Sequence, residues 1–166
     1  YGDCEVMLIS NSGKAIRFHE EDIRATGRTS RGVNGIRLEK DHSVVSLIVV
    51  RDSESTILTV ASNGQGKQTC ASNYSKQSRY GVGVYTMDIK FPDTKIVSAI
   101  QISSNDELLL ISSSGNIVRL NCSDISVTNS RKTKGVRLIN LGDNDSIVSA
   151  VKVSIENGQD SEQLPS

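Results

Sequence analysis

Most basic residues of this 166-residue chain lie in or beside glycine-containing segments, where arginine and lysine are well placed to bind phosphate groups. The segments TGRTSRG (26–32), QSRYGVG (77–83) and NSRKTKG (129–135) share this mixture of cations and glycine. Arginine and lysine offer positive charge and N–H donors to phosphate oxygens, and glycine lets a loop approach another backbone closely. The cations that we single out in these loops are Arg28, Arg31, Arg79, Arg131, Lys132 and Lys134.

A second group of cations is predicted to lie on or beside strands. For these side chains, phosphate contact and ordinary solvated strand polarity are both open interpretations. For Arg37 and Arg137, which each precede a leucine, a structural ion pair across the sheet is a further alternative. The remaining members of the group are Lys14, Arg17, Lys67, Lys76 and Arg119.

Catalytic and metal-binding patterns are missing from the sequence. The glycine-rich segment 64–67 is too short to be a phosphate-binding P-loop, and no nucleophile motif or carboxylate pair stands out. Cys4, Cys70 and Cys122 are widely spaced and form no CxxC pair, so we expect free thiols and no zinc site. We therefore expect a binding module without catalytic residues, metal or cofactor.

Three glycines, Gly13, Gly64 and Gly115, are spaced 51 residues apart and mark an internal repeat. An apolar run precedes each glycine, and a strand pattern, a polar segment, a short strand and a β-branched run follow it. Four short strands in about 50 residues are typical of a propeller blade. The sequence therefore predicts an all-β, propeller-like fold of three blades, at about 5–50, 51–102 and 103–153, with four strands per blade.

The β-branched runs SVVSLIVV (43–50), KIVSAIQI (95–102) and SIVSAVKV (146–153) are expected to form core strands. We expect the short strands at 35–38, 85–89 and 135–138. The segment 154–166 is polar and acidic, and we expect it to be a disordered tail because it has little apolar surface to bury. The predicted core residues of the β-branched runs are Val45, Ile48, Val97, Ile100, Val148 and Val151.

Charge is sorted along the chain, although lysine plus arginine and aspartate plus glutamate each number 19. The segments 13–38, 64–90 and 115–138 contain 15 of the basic residues and only 5 of the acidic ones. Equivalent loops of stacked repeats lie along one side of the assembly, so these cations should form a track for a polyanionic backbone. No apolar run approaches the length of a membrane span.

The segment 6–38, VMLISNSGKAIRFHEEDIRATGRTSRGVNGIRL, resembles a blade from the C-terminal domain of the bacterial DNA gyrase A protein. The run SVVSLIVV, the hairpin SNGQGKQT and the closing SDISVTNSRKTKGVRLINL are similar to the same family in the same order. The resemblance covers residues 5–153, and it is to the last three blades of a domain that normally has six.

The resemblance implies a β-pinwheel, a disc of propeller-like blades with a strand-exchange topology, around whose basic perimeter double-stranded DNA wraps. It implies a part in ATP-dependent negative supercoiling by a type IIA topoisomerase whose catalytic tyrosine and ATPase site are elsewhere. The implied partners are DNA, the rest of the gyrase A protein and the gyrase B protein, in an A2B2 heterotetramer. The implied location is the bacterial cytoplasm, at the nucleoid and not at a membrane.

The family's seven-residue box, Gln-Arg-Arg-Gly-Gly-Lys-Gly, has only degenerate counterparts here, in the three basic loops. Two other interpretations stay open: the related C-terminal domain of topoisomerase IV, and a propeller-type protein-interaction module. Three blades also leave two blade faces without a neighbour. We expect the chain either to persist as an open arc or to pair with a second copy.

Overall fold

The computed structural model describes residues 4–50, 52 and 54–154, which form three antiparallel sheets in chain order. The first repeat contributes β1 (Glu5–Ser10), β2 (Lys14–His19) and β3 (Val44–Val50). The second contributes β4 (Thr56–Ala61), β5 (Gln65–Cys70), β6 (Val84–Tyr85) and β7 (Ile96–Ile102). The third contributes β8 (Glu107–Ser112), β9 (Ile117–Asn121), β10 (Val136–Arg137) and β11 (Ile147–Val153). The predicted all-β fold with three repeats is confirmed.

Each repeat begins with a hairpin whose turn ends in a left-handed glycine. Gly13, Gly64 and Gly115 have φ between +87° and +88°, a conformation that costs glycine little and other residues much. The strand after the turn leads into one turn of 3₁₀ helix, and the three turns are Glu20–Asp22, Ala71–Asn73 and Cys122–Asp124. The long strand that closes each repeat then pairs with the first strand of the same repeat.

The fourth strand of a sheet comes from the next repeat along the chain. The first sheet has the order β3-β1-β2-β6, and the second has the order β10-β5-β4-β7. Thus Tyr85 pairs with Lys14, and Arg137 pairs with Gln65. The third sheet has the order β11-β8-β9, so among the described residues its β9 edge has no further strand. We call β6 and β10 the exchanged strands.

The structure corrects the predicted short strand at 35–38. A left-handed glycine precedes each exchanged strand, Gly83 (φ +85°) before β6 and Gly135 (φ +75°) before β10. In the first repeat the left-handed glycine is Gly32 (φ +74°), so the counterpart of an exchanged strand is 33–34, where no strand pairing is found. Arg37 and Arg137, which the sequence pattern aligns, therefore occupy different positions of the repeat.

Apolar side chains are buried mainly between neighbouring sheets. One core cluster lies between the first and second sheets and includes Met7, Ile48 and Met87. Another lies between the second and third sheets, and Val97 and Ile100 pack against it. The prediction that Val148 and Val151 are core residues is wrong, because they are 54% and 46% exposed on a face of the third sheet that no described residue covers. The predicted tail lies outside the described residues, except for Ser154.

Candidate nucleic-acid interface

The basic loops of successive repeats are joined by matching backbone hydrogen bonds. Arg37 N–H donates to the Gly81 carbonyl over 2.9 Å, and one repeat later Asp88 N–H donates to the Thr133 carbonyl over 2.9 Å. The closing strands lie on the opposite side, where β7 packs against both β3 and β11. We call the side formed by the loops 26–32, 77–83 and 129–135 and the exchanged strands the outer edge.

A concavity of about 490 Å³ lies on the outer edge between the second and third loops. Tyr85 forms one wall, and the Lys132 and Lys14 ammonium groups lie 4.7 Å and 5.7 Å from the centre of its ring. Arg131 also lines the concavity. The two ammonium groups near the Tyr85 ring, of which Lys132 lines the concavity, create a positive site with an apolar wall, which suits a phosphate and the sugar attached to it.

Arg28 and Arg31 are exposed in the first basic loop, and neither forms an ion pair within the described residues. In the third basic loop Lys132 and Lys134 are likewise exposed, and Arg137 is exposed on β10. Because no carboxylate of the described residues pairs with these side chains, we take their charge to be available to an anion in solution. The third loop therefore extends the positive surface of the Tyr85 concavity.

Arg79 and Arg37 make contacts between neighbouring loops of the outer edge. Arg79 donates from Nε to the Asp22 carbonyl over 2.8 Å and from Nη1 to the Asn34 carbonyl over 2.7 Å. The Arg37 guanidinium lies 5.1 Å from the centre of the Tyr80 ring. Both side chains hold neighbouring loops together, and Arg37 keeps an exposed face.

Arg17, singled out as a phosphate-binding candidate, is buried, with an exposed fraction of 6%. It pairs with Glu5, and Nη1 donates to the carbonyls of Ala71 and Tyr74 at the next 3₁₀ turn. Gln68 holds the same position one repeat later, where Nε2 donates to the corresponding carbonyls of Cys122 and Ile125. This position therefore fastens one repeat to the next, and Arg17 has no surface to offer a phosphate.

Lys67, which the sequence analysis also singled out as a phosphate-binding candidate, is buried, because only 2% of the residue is exposed. Its ammonium donates to the carbonyls of Ser130, over 2.7 Å, and Arg131, and so holds the third basic loop. Burial, with the nearby Arg131 charge, lowers the Lys67 pKa to about 8. The ammonium acts on the inner side of the loop and not on its solvent side.

Lys76 and Arg119 are exposed, but each already has an acidic partner. Lys76 bonds to Glu5, which Arg17 also contacts, and Arg119 bonds to Glu107. Burial acts to raise the pKa of the Glu5 carboxyl, but hydrogen bonds from Lys76 and Arg17 outweigh burial and lower the pKa. These pairs reduce the free charge of both cations relative to the loop arginines.

Tyr85 is the residue that sequence reasoning missed. The sequence places it in a short strand, and nothing in its neighbours signals that this strand leaves its own repeat. Exchange carries Tyr85 beside Lys14 of the first repeat, while Lys132 approaches from the third. Thus the Tyr85 ring lies close to cations of the first and third repeats, and the concavity beside it is lined by the second and third repeats.

Within the described ranges, no group of three His, Cys, Asp or Glu side chains is arranged to hold a metal ion. No helix in the same ranges is long and apolar enough to cross a membrane. The features that remain for a functional site are the cations of the outer edge and the Tyr85 concavity.

The first two antiparallel sheets each take a fourth strand from the next repeat, and cations lie on the side of that exchange. These features define a domain of blade-like repeats with a positive outer edge. The chain belongs to the DNA gyrase C-terminal domain family, whose model, described as a beta-propeller, matches residues 5–51, 55–103 and 106–154. The resemblance deduced from the sequence is thereby confirmed, and the chain is a gyrase-type topoisomerase C-terminal module.

Curated relatives give the same result. The DNA gyrase A protein of Salmonella typhimurium is 42% identical over 153 residues, which make up 92% of this chain and 17% of that protein. The DNA gyrase A protein of Pseudomonas aeruginosa is 37% identical over 164 residues, 99% of this chain and 18% of that protein. The chain thus spans less than a fifth of the length of these relatives.

Solved structures share the fold. A DNA gyrase A C-terminal domain matches with a TM-score of 0.80 and 30% identity over 90% of this chain and 50% of that one. The C-terminal domain of a DNA topoisomerase IV matches with a TM-score of 0.85 over 92% of this chain and 47% of that one. At 22% identity, the second likeness shows the fold alone.

Proposed function

We propose that this chain binds the backbone of double-stranded DNA along its outer edge and bends the DNA around that edge. The observation that supports this proposal is the row of neighbouring basic loops, in which the first and third loops have exposed cations without an acidic partner among the described residues. Contacts of this kind read phosphate positions and not base sequence, so binding should be strong at low salt and largely sequence-independent.

The proposed biological role is to wrap DNA for a gyrase, so that the ATP-dependent passage of one duplex through another introduces negative supercoils. In this role the gyrase B protein, together with the rest of the gyrase A protein, supplies cleavage and ATP hydrolysis, and the complex acts in the bacterial cytoplasm. The sequence relatives favour gyrase over topoisomerase IV, because the relatives at 37–42% identity are gyrase A proteins.

DNA affinity measured across a salt series tests the binding. The test compares the unaltered chain with the triple variant Arg28→Ala, Arg31→Ala and Arg131→Ala on a linear duplex. Each phosphate contact contributes about 0.9 to the slope of log affinity against log salt concentration. We therefore expect weaker binding by the variant and a slope that is shallower by about 2 to 3.

A matched control removes the same charge away from the outer edge. Lys40, Lys95 and Lys152 are exposed and lie outside the basic loops, so their triple alanine variant should keep the salt slope of the unaltered chain. Equal losses in both triple variants would show nonspecific charge attraction and refute a defined edge. Binding that is insensitive to salt would instead favour the protein-interaction module.

A further inference from the structure

The three basic loops of the outer edge align residue by residue, and the second loop differs from its neighbours at two aligned positions. Val82 lies where the first and third loops have Arg31 and Lys134, and Tyr80 lies where the third loop has Lys132. The second loop therefore has apolar side chains at positions where its neighbours have cations. The alignment is fixed by the left-handed glycine at the end of each loop: Gly32, Gly83 and Gly135.

Tyr80 and Val82 are also exposed, with exposed fractions of 45% and 46%. The first and third repeats flank the second, so this is the exposure of a loop whose neighbours on both sides are in place. Single exposed apolar residues are common on protein surfaces, but these two belong to one loop in the middle of a positive edge. We call Tyr80 and Val82 the apolar tip.

The backbone of the second loop is held firmly by the first repeat. Arg79 donates to two backbone carbonyls of the first repeat, and the Gly81 carbonyl accepts the Arg37 N–H over 2.9 Å. A Cβ added to Gly81 would lie 3.2 Å from Cδ1 of Ile16, so the loop backbone packs closely on the first sheet. The apolar tip thus stays exposed although the backbone between its two residues is fastened.

Tyr80 has a backbone conformation that bulky residues rarely adopt. Its φ is +66°, and its counterparts Thr29 and Lys132 do not share this left-handed conformation. Its N–H donates to the Gly35 carbonyl over 2.7 Å, and the Arg37 guanidinium lies 5.1 Å from the centre of its ring. Such conformations persist where the surrounding structure enforces them, and they cluster at binding sites. The ring is therefore held in position without being buried.

The cations on both sides of the apolar tip indicate what it contacts. In the proposed function, the first and third loops bind phosphates of double-stranded DNA. The groups that lie between the phosphates of a strand are deoxyriboses, which present C–H edges and form the walls of the minor groove. The other apolar group of a duplex, the thymine methyl, occurs only at some base pairs. A sugar is present at every nucleotide, which suits an edge that reads no sequence.

We propose that Tyr80 and Val82 pack against deoxyriboses in the middle of the bound DNA segment, between the phosphate contacts of the first and third loops. This inference rests on the proposed DNA binding and adds to it a preference for DNA over RNA. An RNA duplex would place 2′-hydroxyls against the apolar tip, where they lose water without gaining a hydrogen bond. The apolar tip is then the part of the outer edge that determines which kind of duplex is bound.

The double variant Tyr80→Asn and Val82→Ser tests the sugar contact. Asparagine tolerates the left-handed conformation, so the variant should keep the circular dichroism spectrum and melting temperature of the unaltered chain. Its affinity for a linear DNA duplex should fall about tenfold at every salt concentration, because apolar surface is no longer buried. The salt slope should not change, since an apolar contact releases no counterions. An RNA duplex of the same sequence should bind both chains equally.

Two controls separate the apolar tip from other effects. Val49 and Val148 are 45% and 54% exposed on closing strands, on the side opposite the outer edge. Their double serine variant removes a comparable apolar surface and should keep the DNA affinity of the unaltered chain. Tyr80→Phe keeps the ring without the hydroxyl group, and it should also bind DNA as the unaltered chain does.

The salt series distinguishes failure of this inference from failure of the proposed function. Steeply salt-dependent DNA binding that is equal in the unaltered chain and the double variant would overturn the sugar contact and leave the DNA binding in place. A loss with a shallower slope, or an equal loss on RNA, would also overturn it, because the second loop would then act on phosphates. Absence of salt-dependent DNA binding by the unaltered chain would refute the proposed function itself, and the sugar contact with it.

Discussion

At the scale of single residues, one position of the repeat explains how neighbouring blades are held together. Arg17 and Gln68 differ in charge but make the same pair of hydrogen bonds to carbonyls of the following 3₁₀ turn. The Ala71 and Cys122 carbonyls already accept the N–H that closes their 3₁₀ turn, and a long side chain with two N–H donors adds a second bond there and also binds the carbonyl of the residue after the turn. The requirement at this position is therefore a donor of sufficient length and not a positive charge.

Lys67 gives a prediction on pH. Its pKa is lowered to about 8 in the folded chain from an ordinary value of 10.5, so between these values the unfolded chain binds the proton more tightly. Stability due to this group must therefore increase as pH rises through that range. Relative to Lys67→Met, which keeps the length without the charge, the unaltered chain should gain on the order of 2 kcal/mol between pH 7 and pH 10.

Urea unfolding of both chains at several pH values measures this difference. Tyrosine and cysteine titrations are common to the two chains and cancel in the comparison. Curves of unfolding free energy that stay parallel from pH 7 to pH 10 would mean that Lys67 has an ordinary pKa, and that its bonds to the third loop are replaced by water.

At the scale of strands and turns, local sequence patterns predict the hairpins and the closing strands, whereas only the family resemblance implies the strand exchange. The spacing of Gly13, Gly64 and Gly115 locates the turns, because a left-handed turn needs glycine. Pairing of a two-residue strand with another repeat depends on contacts between segments far apart in the chain, which no local pattern records. For the same reason, the alternation of polar and apolar residues along the strands does not predict that Arg17 and Lys67 are buried.

Two left-handed glycines, one before the exchanged strand β10 and its counterpart in the first repeat, give a prediction on stability. Gly135 and Gly32 have nearly equal φ values, +75° and +74°, but a Cβ at Gly135 would lie 2.4 Å from the Gly66 carbonyl oxygen, whereas one at Gly32 meets nothing. Gly32→Ala should therefore lose only the conformational energy, about 1–2 kcal/mol. Gly135→Ala should lose at least about 3 kcal/mol, because β10 must also move away from β5.

Thermal or urea unfolding followed by circular dichroism, at concentrations where the chain is monomeric, gives both values. Both substitutions include the same energetic cost of placing alanine at a positive φ. The difference between their losses in unfolding free energy therefore measures only the close approach of the exchanged strand to β5. Equal losses would show that β10 detaches at little cost and that the exchanged strand contributes little to the second sheet.

At the scale of the whole molecule, a neutral chain has a strongly positive edge because its charges are segregated in every repeat. The sequence predicts this segregation, since 15 of 19 basic residues fall in three segments. The sequence does not predict which cations lack an acidic partner, because the ion pairs with Glu5 and Glu107 form only when the chain folds into sheets. The positive surface is therefore narrower than the count of basic residues suggests, and it is concentrated in the loops and at Tyr85.

If DNA bends around the outer edge as we propose, the chain should change DNA topology and not only bind DNA. Bending a site of 20–30 base pairs by 40–90° costs about 1–6 kcal/mol, and several phosphate contacts along successive loops can offset that cost.

A nicked circle of DNA that ligase seals in the presence of the chain should then retain a shift in linking number. The shift is positive if the wrap is right-handed, as in the proposed gyrase role. The Arg28→Ala, Arg31→Ala and Arg131→Ala variant should give a smaller shift at equal occupancy, and the Lys40, Lys95 and Lys152 control should not differ. Full occupancy with no change in linking number would mean that the three repeats bind DNA without wrapping it, because a straight duplex on the same cations traps no writhe.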